Sequence, residues 1–128
     1  MFDWFISDLH FRHANIIKFE PKVRPFDTVE EHDEHIIAEV NKVVGANDTL
    51  LVNGDCAFNV GVPLLGRLNG RKLLCVGNHE HKNIREYLPY FEDAKSVYEW
   101  KGMGVLFSHI PVHPCCLEFR WKVNVHVS

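Results

Sequence analysis

Acidic, amide and imidazole side chains gather in four short stretches of this chain, SDLHFRH, NGDCA, GNHEH and FSHIPVH. Each stretch follows a run of apolar residues with the length and composition of a β-strand. Aspartate, asparagine and histidine offer oxygen and nitrogen ligands without thiolate, a set that suits Mn²⁺, iron or Zn²⁺. The residue types therefore favour a catalytic metal site over a structural zinc site.

The spacing within these stretches indicates how cations would be bound. Asp8 and His10 flank a single residue, so on an extended turn both side chains point the same way and can share one cation. Asp55 offers a carboxylate that can bridge two cations, and Asn78 and His109 offer an amide oxygen and an imidazole. Two cations about 3.5–4 Å apart form a centre that promotes phosphoester hydrolysis.

The segments between these stretches predict an α/β fold. The nearly continuous apolar character of TLLVN predicts a strand that is buried on both faces. Further strands are predicted for FDWFI, KLLCV, FRWKVNV and a hairpin of SVYEW with GVLFS, and short helices for VPLLGRLNG and KNIREYLPYF. Ligands of open α/β sheets bind at the carboxyl ends of the strands, where the polar stretches lie. The residues expected to line one pocket there are Asp8, His10, Asp55, Asn78, His79 and His109.

A longer helix is predicted from Thr28 to a stop at Gly45. Thr28 and Glu31 have capping-box spacing. The positions that recur at three- and four-residue steps are Val29, Asp33, Ile36, Ile37, Val40 and Val44. Within this helix EEHDEH contains His32 and His35 but not the His-Glu-x-x-His spacing of a zinc site. We expect this segment to form a solvated helix face.

Length and composition favour a single domain over residues 1–128. The chain has 46% hydrophobic and 24% charged residues and a net charge of −3 with histidine neutral. That charge gives no general attraction to nucleic acid or anionic membrane, and no segment has the roughly 20 apolar residues that span a bilayer. The N-terminus has no secretory features, so a cytoplasmic location is expected. The four cysteines form no CxxC pair and are expected to be reduced and mostly buried.

The order of the motifs resembles that of the calcineurin-like metallophosphoesterases. In that family the series runs Asp-x-His, Gly-Asp, Gly-Asn-His-(Asp or Glu), a lone His and Gly-His-x-His. This chain contains the first four as DLH, GD, GNHE and SH, between Ser7 and His109. The chain is most similar to the small single-domain bacterial and phage members, which often carry a second histidine shortly after the first motif, as His13 does here.

The resemblance implies a two-sheet sandwich flanked by helices and a dinuclear metal centre. The ligands it implies are Asp8 and His10 for the first ion, Asp55 for both ions, and Asn78 and His109 for the second. His79 would be the catalytic histidine that protonates the leaving group, oriented by a hydrogen bond with Glu80. The implied reaction is phosphoester hydrolysis by metal-bound hydroxide. Mn²⁺ is the first choice of metal, with Fe, Zn²⁺ or Ni²⁺ as alternatives.

The closing NVHVS departs from the family's Gly-His-x-His. In one alignment His126 takes the place of the first histidine, with Val125 instead of glycine and Ser128 instead of the second histidine. In the other, which we favour because FRWKVNV runs into His126 as a lead-in strand, the motif is cut off before either ligand. In both alignments the first metal lacks its last histidine. We therefore expect a weak first site, with His126 as a candidate ligand of the second.

The stretch after the first motif is mildly basic. Arg12 and His13 are candidate contacts for the substrate phosphate, and a solvated loop explains them equally well. The expected function is that of a phosphodiesterase or phosphatase acting on a small phosphoester, without a membrane partner. The alternatives are a binding module that keeps the fold with little or no catalysis, and a nuclease, which needs a basic groove that the charge balance does not show. Natural substrate and oligomeric state stay open.

Overall fold

The computed structural model describes residues 2–57, 59–77, 80, 83–100, 102–117 and 121–126. The strands within these ranges are β1 Trp4–Ser7, β2 Thr49–Asn53, β3 Arg71–Cys75, β4 Asp93–Lys95, β5 Val97–Trp100, β6 Val105–Ser108 and β7 Val123–Val125. The α-helices are α1 Asn15–Phe19, α2 Val29–Val43 and α3 Ile84–Tyr87. Segments of 3₁₀ helix cover Asn59–Arg67, Leu88–Tyr90 and Pro114–Leu117. Within the described ranges, every helix is too short or too polar to cross a bilayer.

Four parallel strands form the first sheet, in the order β1-β2-β3-β4. Every residue of β2 is buried, as its apolar sequence predicts for a strand covered on both faces. Leu51 packs with the apolar residues that face the second sheet, whereas Leu50 and Val52 pack with those that face the helices. Successive side chains of a strand alternate between the two faces, so this single strand connects both halves of the core.

The second sheet has three strands in the order β5-β6-β7. Strands β5 and β6 form the predicted antiparallel hairpin, and β7 pairs with β6 in parallel. The buried residues between the two sheets are Phe2, Leu51, Cys75, Tyr98 and Phe107. A larger cluster on the other face of the first sheet includes Ile37 and Val40 of α2. The predicted α/β architecture of two sheets with flanking helices is therefore confirmed.

The helical segments differ from the prediction in length and type. α2 follows Thr28 as predicted. The segment VPLLGRLNG lies largely in 3₁₀ helix, with Pro63 inside it, rather than in the predicted α-helix. The helix predicted for KNIREYLPYF is α-helical only over Ile84–Tyr87 and continues as 3₁₀ helix across Pro89. α1 and β4 are too short to produce a periodic signal, and the start of the strand predicted for FRWKVNV lies outside the described residues.

Replacing Thr28 with alanine should destabilise the fold by about 1 kcal/mol. The Thr28 hydroxyl accepts a hydrogen bond from the Glu31 amide over 3.2 Å, and amides of the first helical turn lack an acceptor within the helix. Denaturant unfolding measures the loss, and Thr28→Ser is the matched control because serine keeps the acceptor. Equal stability of the alanine and serine variants would contradict the capping role.

Candidate metal centre

The loops that follow β1 and β2 lie side by side and are joined by backbone hydrogen bonds. The amide-to-carbonyl pairs are Asp8 with Gly54 at 3.4 Å, His10 with Asp55 at 3.0 Å, and Phe11 with Cys56 at 3.1 Å. These bonds continue the parallel pairing of β1 and β2 beyond the end of the sheet. The two loops therefore keep the side chains of Asp8, His10 and Asp55 next to one another.

Three potential metal ligands converge where these loops meet. One ligand atom each from Asp8, His10 and Asp55 lies within 4.8 Å of the other two, and all three residues are partly buried. His10 Nε2 is 3.7 Å from Asp8 Oδ1, which is too long for a hydrogen bond but close enough for both atoms to bind one ion. His126 is exposed directly after β7 and is outside this group, so its role as a ligand stays a prediction.

The charges of this group favour a bound cation. Burial raises the pKa of Asp8, and the neighbouring charge of Asp55 raises it further. Two carboxylates that face each other in a partly buried site repel, and a divalent ion between them removes the repulsion. The donor atoms are oxygen and nitrogen, which bind the first-row divalent metals. Donor set and charge together fit a divalent metal ion.

His109 extends the group on the side of Asp55. Its Nε2 lies 3.3 Å from Asp55 Oδ2, and its Nδ1 lies 3.3 Å from the Asn53 carbonyl oxygen. A carbonyl oxygen only accepts, so Nδ1 carries the hydrogen, and in the neutral ring Nε2 has a lone pair facing the carboxylate. An imidazole fixed at one nitrogen by a backbone carbonyl is the usual arrangement of a histidine metal ligand.

The approach of His109 to β2 requires glycine at position 54. Gly54 has a φ of +70°, and a Cβ atom there would lie 2.1 Å from His109 Nδ1. Beside it, the Asn53 side chain donates a hydrogen bond to the Ser108 carbonyl over 3.0 Å, which joins the end of β2 to the end of β6. In the sequence Gly-Asp has the form of an ordinary turn. In the structure the glycine is what lets an imidazole from the second sheet face Asp55.

Four residues of the loops that follow β1 and β2, here named the first and second ligand loops, have a left-handed backbone without being glycine. The φ angles are 55° for Asp8, 52° for His10, 61° for Arg12 and 47° for Asp55. Each such residue costs on the order of 1 kcal/mol or more, and the conformation persists only where its surroundings enforce it. Backbone strain of this kind concentrates at functional sites, and here it coincides with the ligand group.

Glu80 is fully buried next to Asp55. Its Oε1 accepts hydrogen bonds from the amides of Asp55 at 3.0 Å and Gly77 at 2.9 Å, and its Oε2 has no hydrogen-bond partner among the described residues. Desolvation by burial raises the pKa of Glu80. Glu80 thus orients the backbone at the ends of β2 and β3. Asn78 and His79 lie outside the described residues, so the hydrogen bond expected between Glu80 and His79 stays a prediction.

The two candidate substrate contacts differ in their surroundings. His13 Nδ1 lies 3.1 Å from His10 Nδ1, next to the convergent group. The Arg12 guanidinium contacts two carboxylates of α2, Glu30 at 2.9 Å and Asp33 at 3.4 Å. Contact of Arg12 and His13 with a substrate phosphate stays a prediction.

The prediction that EEHDEH forms a solvated helix face is wrong for two of its residues. His32 and Asp33 are 0% and 1% exposed, whereas Glu34 and His35 are exposed. Asp33 lies one turn before Ile37 on the stripe of α2 that faces the core. The helical spacing of the sequence already places Asp33 on the apolar stripe of α2. A carboxylate that is buried there needs a polar partner nearby. The partner, which is the first ligand loop, is visible only in the folded chain.

Comparison with known proteins identifies a matching family, two relatives by sequence and one solved structure with a similar fold. The sequence pattern of the calcineurin-like phosphoesterases matches residues 4–119. Uncharacterized protein MJ1445 of Methanocaldococcus jannaschii is 33% identical over 129 residues, which cover 96% of this chain and 67% of that protein. Gene 66 protein of Mycobacterium phage L5 is 31% identical over 132 residues, which cover 84% of this chain and 62% of the phage protein. The crystal structure of the protein of unknown function AQ665 from Aquifex aeolicus superposes with a TM-score of 0.65 at 33% identity, over 91% of this chain and 67% of that one.

The chain belongs to the calcineurin-like phosphoesterase family, which confirms the resemblance seen in its motif order. It spans 67%, 62% and 67% of the lengths of the three relatives described above. Membership of this family, together with the convergent group of Asp8, His10 and Asp55, supports metal-dependent phosphoester hydrolysis.

In the metal-free protein, Asp8→Asn should raise the free energy of unfolding at pH 7 by up to about 1 kcal/mol, the size of the interaction between two like charges about 4 Å apart in water. Because the pKa of Asp8 is raised, the folded chain holds the proton more firmly than the unfolded chain. Stability is therefore lost as the pH rises from the ordinary carboxyl pKa of about 4 toward the raised value. Asparagine lacks the charge and tolerates the left-handed backbone.

Urea unfolding in EDTA at pH 3 and pH 7 measures this effect, which should be present at pH 7 and absent at pH 3. Asp93→Asn is the matched control, because Asp93 is an exposed carboxylate of β4 away from the site. A metal-free Asp8→Asn variant that is less stable than the parent at pH 7 would contradict the repulsion.

Proposed function

We propose that this chain is a phosphodiesterase or phosphatase with a dinuclear metal centre. The observation that carries the proposal is the convergence of Asp8, His10 and Asp55 at the carboxyl edge of the first sheet, in a member of the calcineurin-like phosphoesterase family. The raised pKa of Asp8 and the His109 imidazole that faces Asp55 support cation binding at the same place. The proposed substrate is a small phosphoester.

The proposed ligands follow the motif order. They are Asp8 and His10 for the first ion, Asp55 for both ions, and Asn78, His109 and the candidate His126 for the second. When bound, the two ions neutralise charge that develops on the phosphoryl oxygens. Ligands without thiolate support Mn²⁺ as the first choice, with Fe, Zn²⁺ and Ni²⁺ as alternatives.

The remaining residues of the site position groups or transfer protons. His79 is proposed to donate a proton to the leaving oxygen. Glu80 binds the backbone amides of Asp55 and Gly77, so it supports both the proposed bridging ligand and the backbone at the end of β3. Neither role of Glu80 requires it to touch the substrate.

Arg12 and His13 are proposed to bind the substrate phosphate. His13 already lies beside His10, so a phosphate at the metal centre would be within its reach. Arg12 would exchange its exposed partner Glu30 for the phosphate while keeping Asp33, because the Glu30 side chain is 63% exposed and the pairing contributes little.

An apolar cavity of about 630 Å³ adjoins the proposed centre. His109 is part of its wall, and Val76, Val97 and Ile110 contribute apolar surface. This volume is typical of small-molecule sites. We place the organic group of the substrate in this cavity, and its apolar wall favours an aromatic or aliphatic ester over a sugar phosphate, whose hydroxyl groups would lose hydrogen bonds with water.

The second candidate function is a binding module that keeps the fold and binds metal without turnover. It is favoured by His126, which does not join the convergent group of described residues. Hydrolysis of bis(4-nitrophenyl) phosphate with Mn²⁺ at a rate above that in EDTA would support the enzyme, and metal binding without turnover would support the module. A nuclease has less support because the net charge is −3. Cytoplasmic location and oligomeric state stay predictions.

Asp55→Asn should remove Mn²⁺ binding and lower turnover at least about 100-fold, beyond the usual loss from an outer-shell residue. A neutral amide has neither the charge nor the second oxygen needed to bridge two ions. Calorimetric Mn²⁺ titration and the aryl phosphodiester assay measure the two effects, with Asp93→Asn as the control. Unchanged Mn²⁺ binding in Asp55→Asn would mean that Asp55 is only a turn residue.

Ile110→Asn should raise KM for an aryl phosphodiester about tenfold and leave Mn²⁺ affinity unchanged, because roughly one apolar contact in the cavity is lost. Met103→Asn is the matched control, since Met103 is a similarly exposed apolar residue in the β5–β6 turn. The prediction fails if both variants have the KM of the parent protein.

A further inference from the structure

A buried polar network lies behind the first ligand loop, and apart from the contact of Asp33 with the Arg12 guanidinium it has no part in the chemistry proposed above. It consists of Arg24, His32 and Asp33, with Glu20 paired to the Arg24 Nε at 3.0 Å at its outer end. His32 and Asp33 are fully buried, and the Arg24 side chain is 15% exposed. Burying charged groups is costly unless each is hydrogen-bonded, so a network at this depth calls for a physical reason.

The hydrogen bonds of this network run in one direction. Arg24 Nη1 lies 2.6 Å from His32 Nε2, and a guanidinium has only donors, so Nε2 is the acceptor. The hydrogen of the neutral ring is therefore on Nδ1, which donates to Asp33 Oδ1 over 2.8 Å. The second carboxylate oxygen, Asp33 Oδ2, accepts from the Arg12 backbone amide over 2.9 Å. The series thus passes from Arg24 through His32 and Asp33 to the backbone of Arg12.

The two ends of the network bind the two ends of the ligand loop. Arg24 donates to the carbonyl of Asp8 over 2.7 Å and to that of Leu9 over 3.4 Å, and Asp33 accepts the amide of Arg12. His10 lies between these anchored positions. Asp8, His10 and Arg12 are the residues of this loop with left-handed φ angles. Such a run of strained residues keeps its conformation only when the surroundings fix it from several directions.

We propose that Arg24, His32 and Asp33 position the metal ligands of the first loop. On one side the loop is joined to the β2 loop by backbone hydrogen bonds, and on the other side to this network. Together they fix the backbone so that Asp8 and His10 present their ligand atoms to the same ion. The three residues touch neither metal nor substrate in this scheme and act through the backbone. The inference rests on the proposed function for the identity of the site as a metal centre.

Mn²⁺ affinity of the full chain, measured by calorimetry, tests this inference without using turnover. Arg24→Met and His32→Leu should weaken Mn²⁺ binding roughly 10- to 100-fold, the usual effect of losing an outer-shell partner. His32→Gln should retain most of the affinity, because the glutamine amide offers an acceptor for Arg24 and a donor for Asp33.

Asp33→Asn separates hydrogen-bond direction from packing. The substitution conserves size, but the amide has only one acceptor oxygen, and its NH₂ would face the donating Nδ1 of His32 or the Arg12 amide. The positioning role therefore predicts that Asp33→Asn also weakens Mn²⁺ binding at least about tenfold. A residue that only fills space would tolerate asparagine.

Two controls change contacts of the same helix, α2. Val40→Ala removes buried apolar surface from α2 and should lower the melting temperature without changing Mn²⁺ affinity. Arg67→Met removes the partner of Glu34 on the opposite, exposed side of α2 and should change neither quantity appreciably.

The outcomes distinguish this inference from the proposed function. Parental Mn²⁺ affinity in Arg24→Met and Asp33→Asn, with binding intact in the parent, would overturn the positioning role alone. An equal loss of affinity in Val40→Ala and Asp33→Asn would also overturn it, since global destabilisation would then explain the effect. A parent chain that binds none of the candidate metals would overturn the proposed function and the inference together. If Arg24→Met does not fold, the comparison of His32→Gln with His32→Leu decides.

Discussion

The backbone pairing of the loops after β1 and β2 is the contact on which the rest of the site depends. It carries the register of two parallel strands past the end of the sheet, so the distance between Asp8 and Asp55 follows from the same hydrogen-bond pattern as the sheet itself. A shift of one residue in this register would move every side chain of β1 to the other face. The site and the core of the first sheet therefore form together.

Several features of the site are unfavourable to folding, and the free energy gained by packing the core must offset them. Carboxylates with raised pKa values, a buried Glu80 oxygen without a partner among the described residues, and left-handed residues all follow the ends of β1, β2 and β3. Strand β2 has apolar layers on both faces directly beneath them. A strained and desolvated site of this kind is stable only when a well-packed core adjoins it. Functional groups therefore lie at the ends of buried strands.

The two sheets contribute differently to the site. The first sheet supplies Asp8, His10 and Asp55 through its loops, and the second brings His109 and much of the apolar cavity beside it. The connection between them is short and specific: Asn53 binds the Ser108 carbonyl, and Gly54 leaves room for the His109 ring. In this arrangement the proposed metal ligands come from both sheets, whereas the shape of the cavity depends mainly on the loop after β6.

The sequence by itself determined the strands that end at the site, the start of α2, the class of fold and the types of the candidate ligand residues. Apolar runs such as TLLVN and the Thr28 cap are local patterns, and the order of the polar motifs resembles that of the family to which the chain belongs. Short elements such as α1 and β4, and the 3₁₀ geometry around Pro63, could not be read reliably because a few residues carry no period. Only the tertiary structure decided that His32 and Asp33 are buried beneath the ligand loop and that Gly54 admits His109. The physical reason is that the cost and partners of a buried polar group depend on which segments, distant in the chain, pack against it.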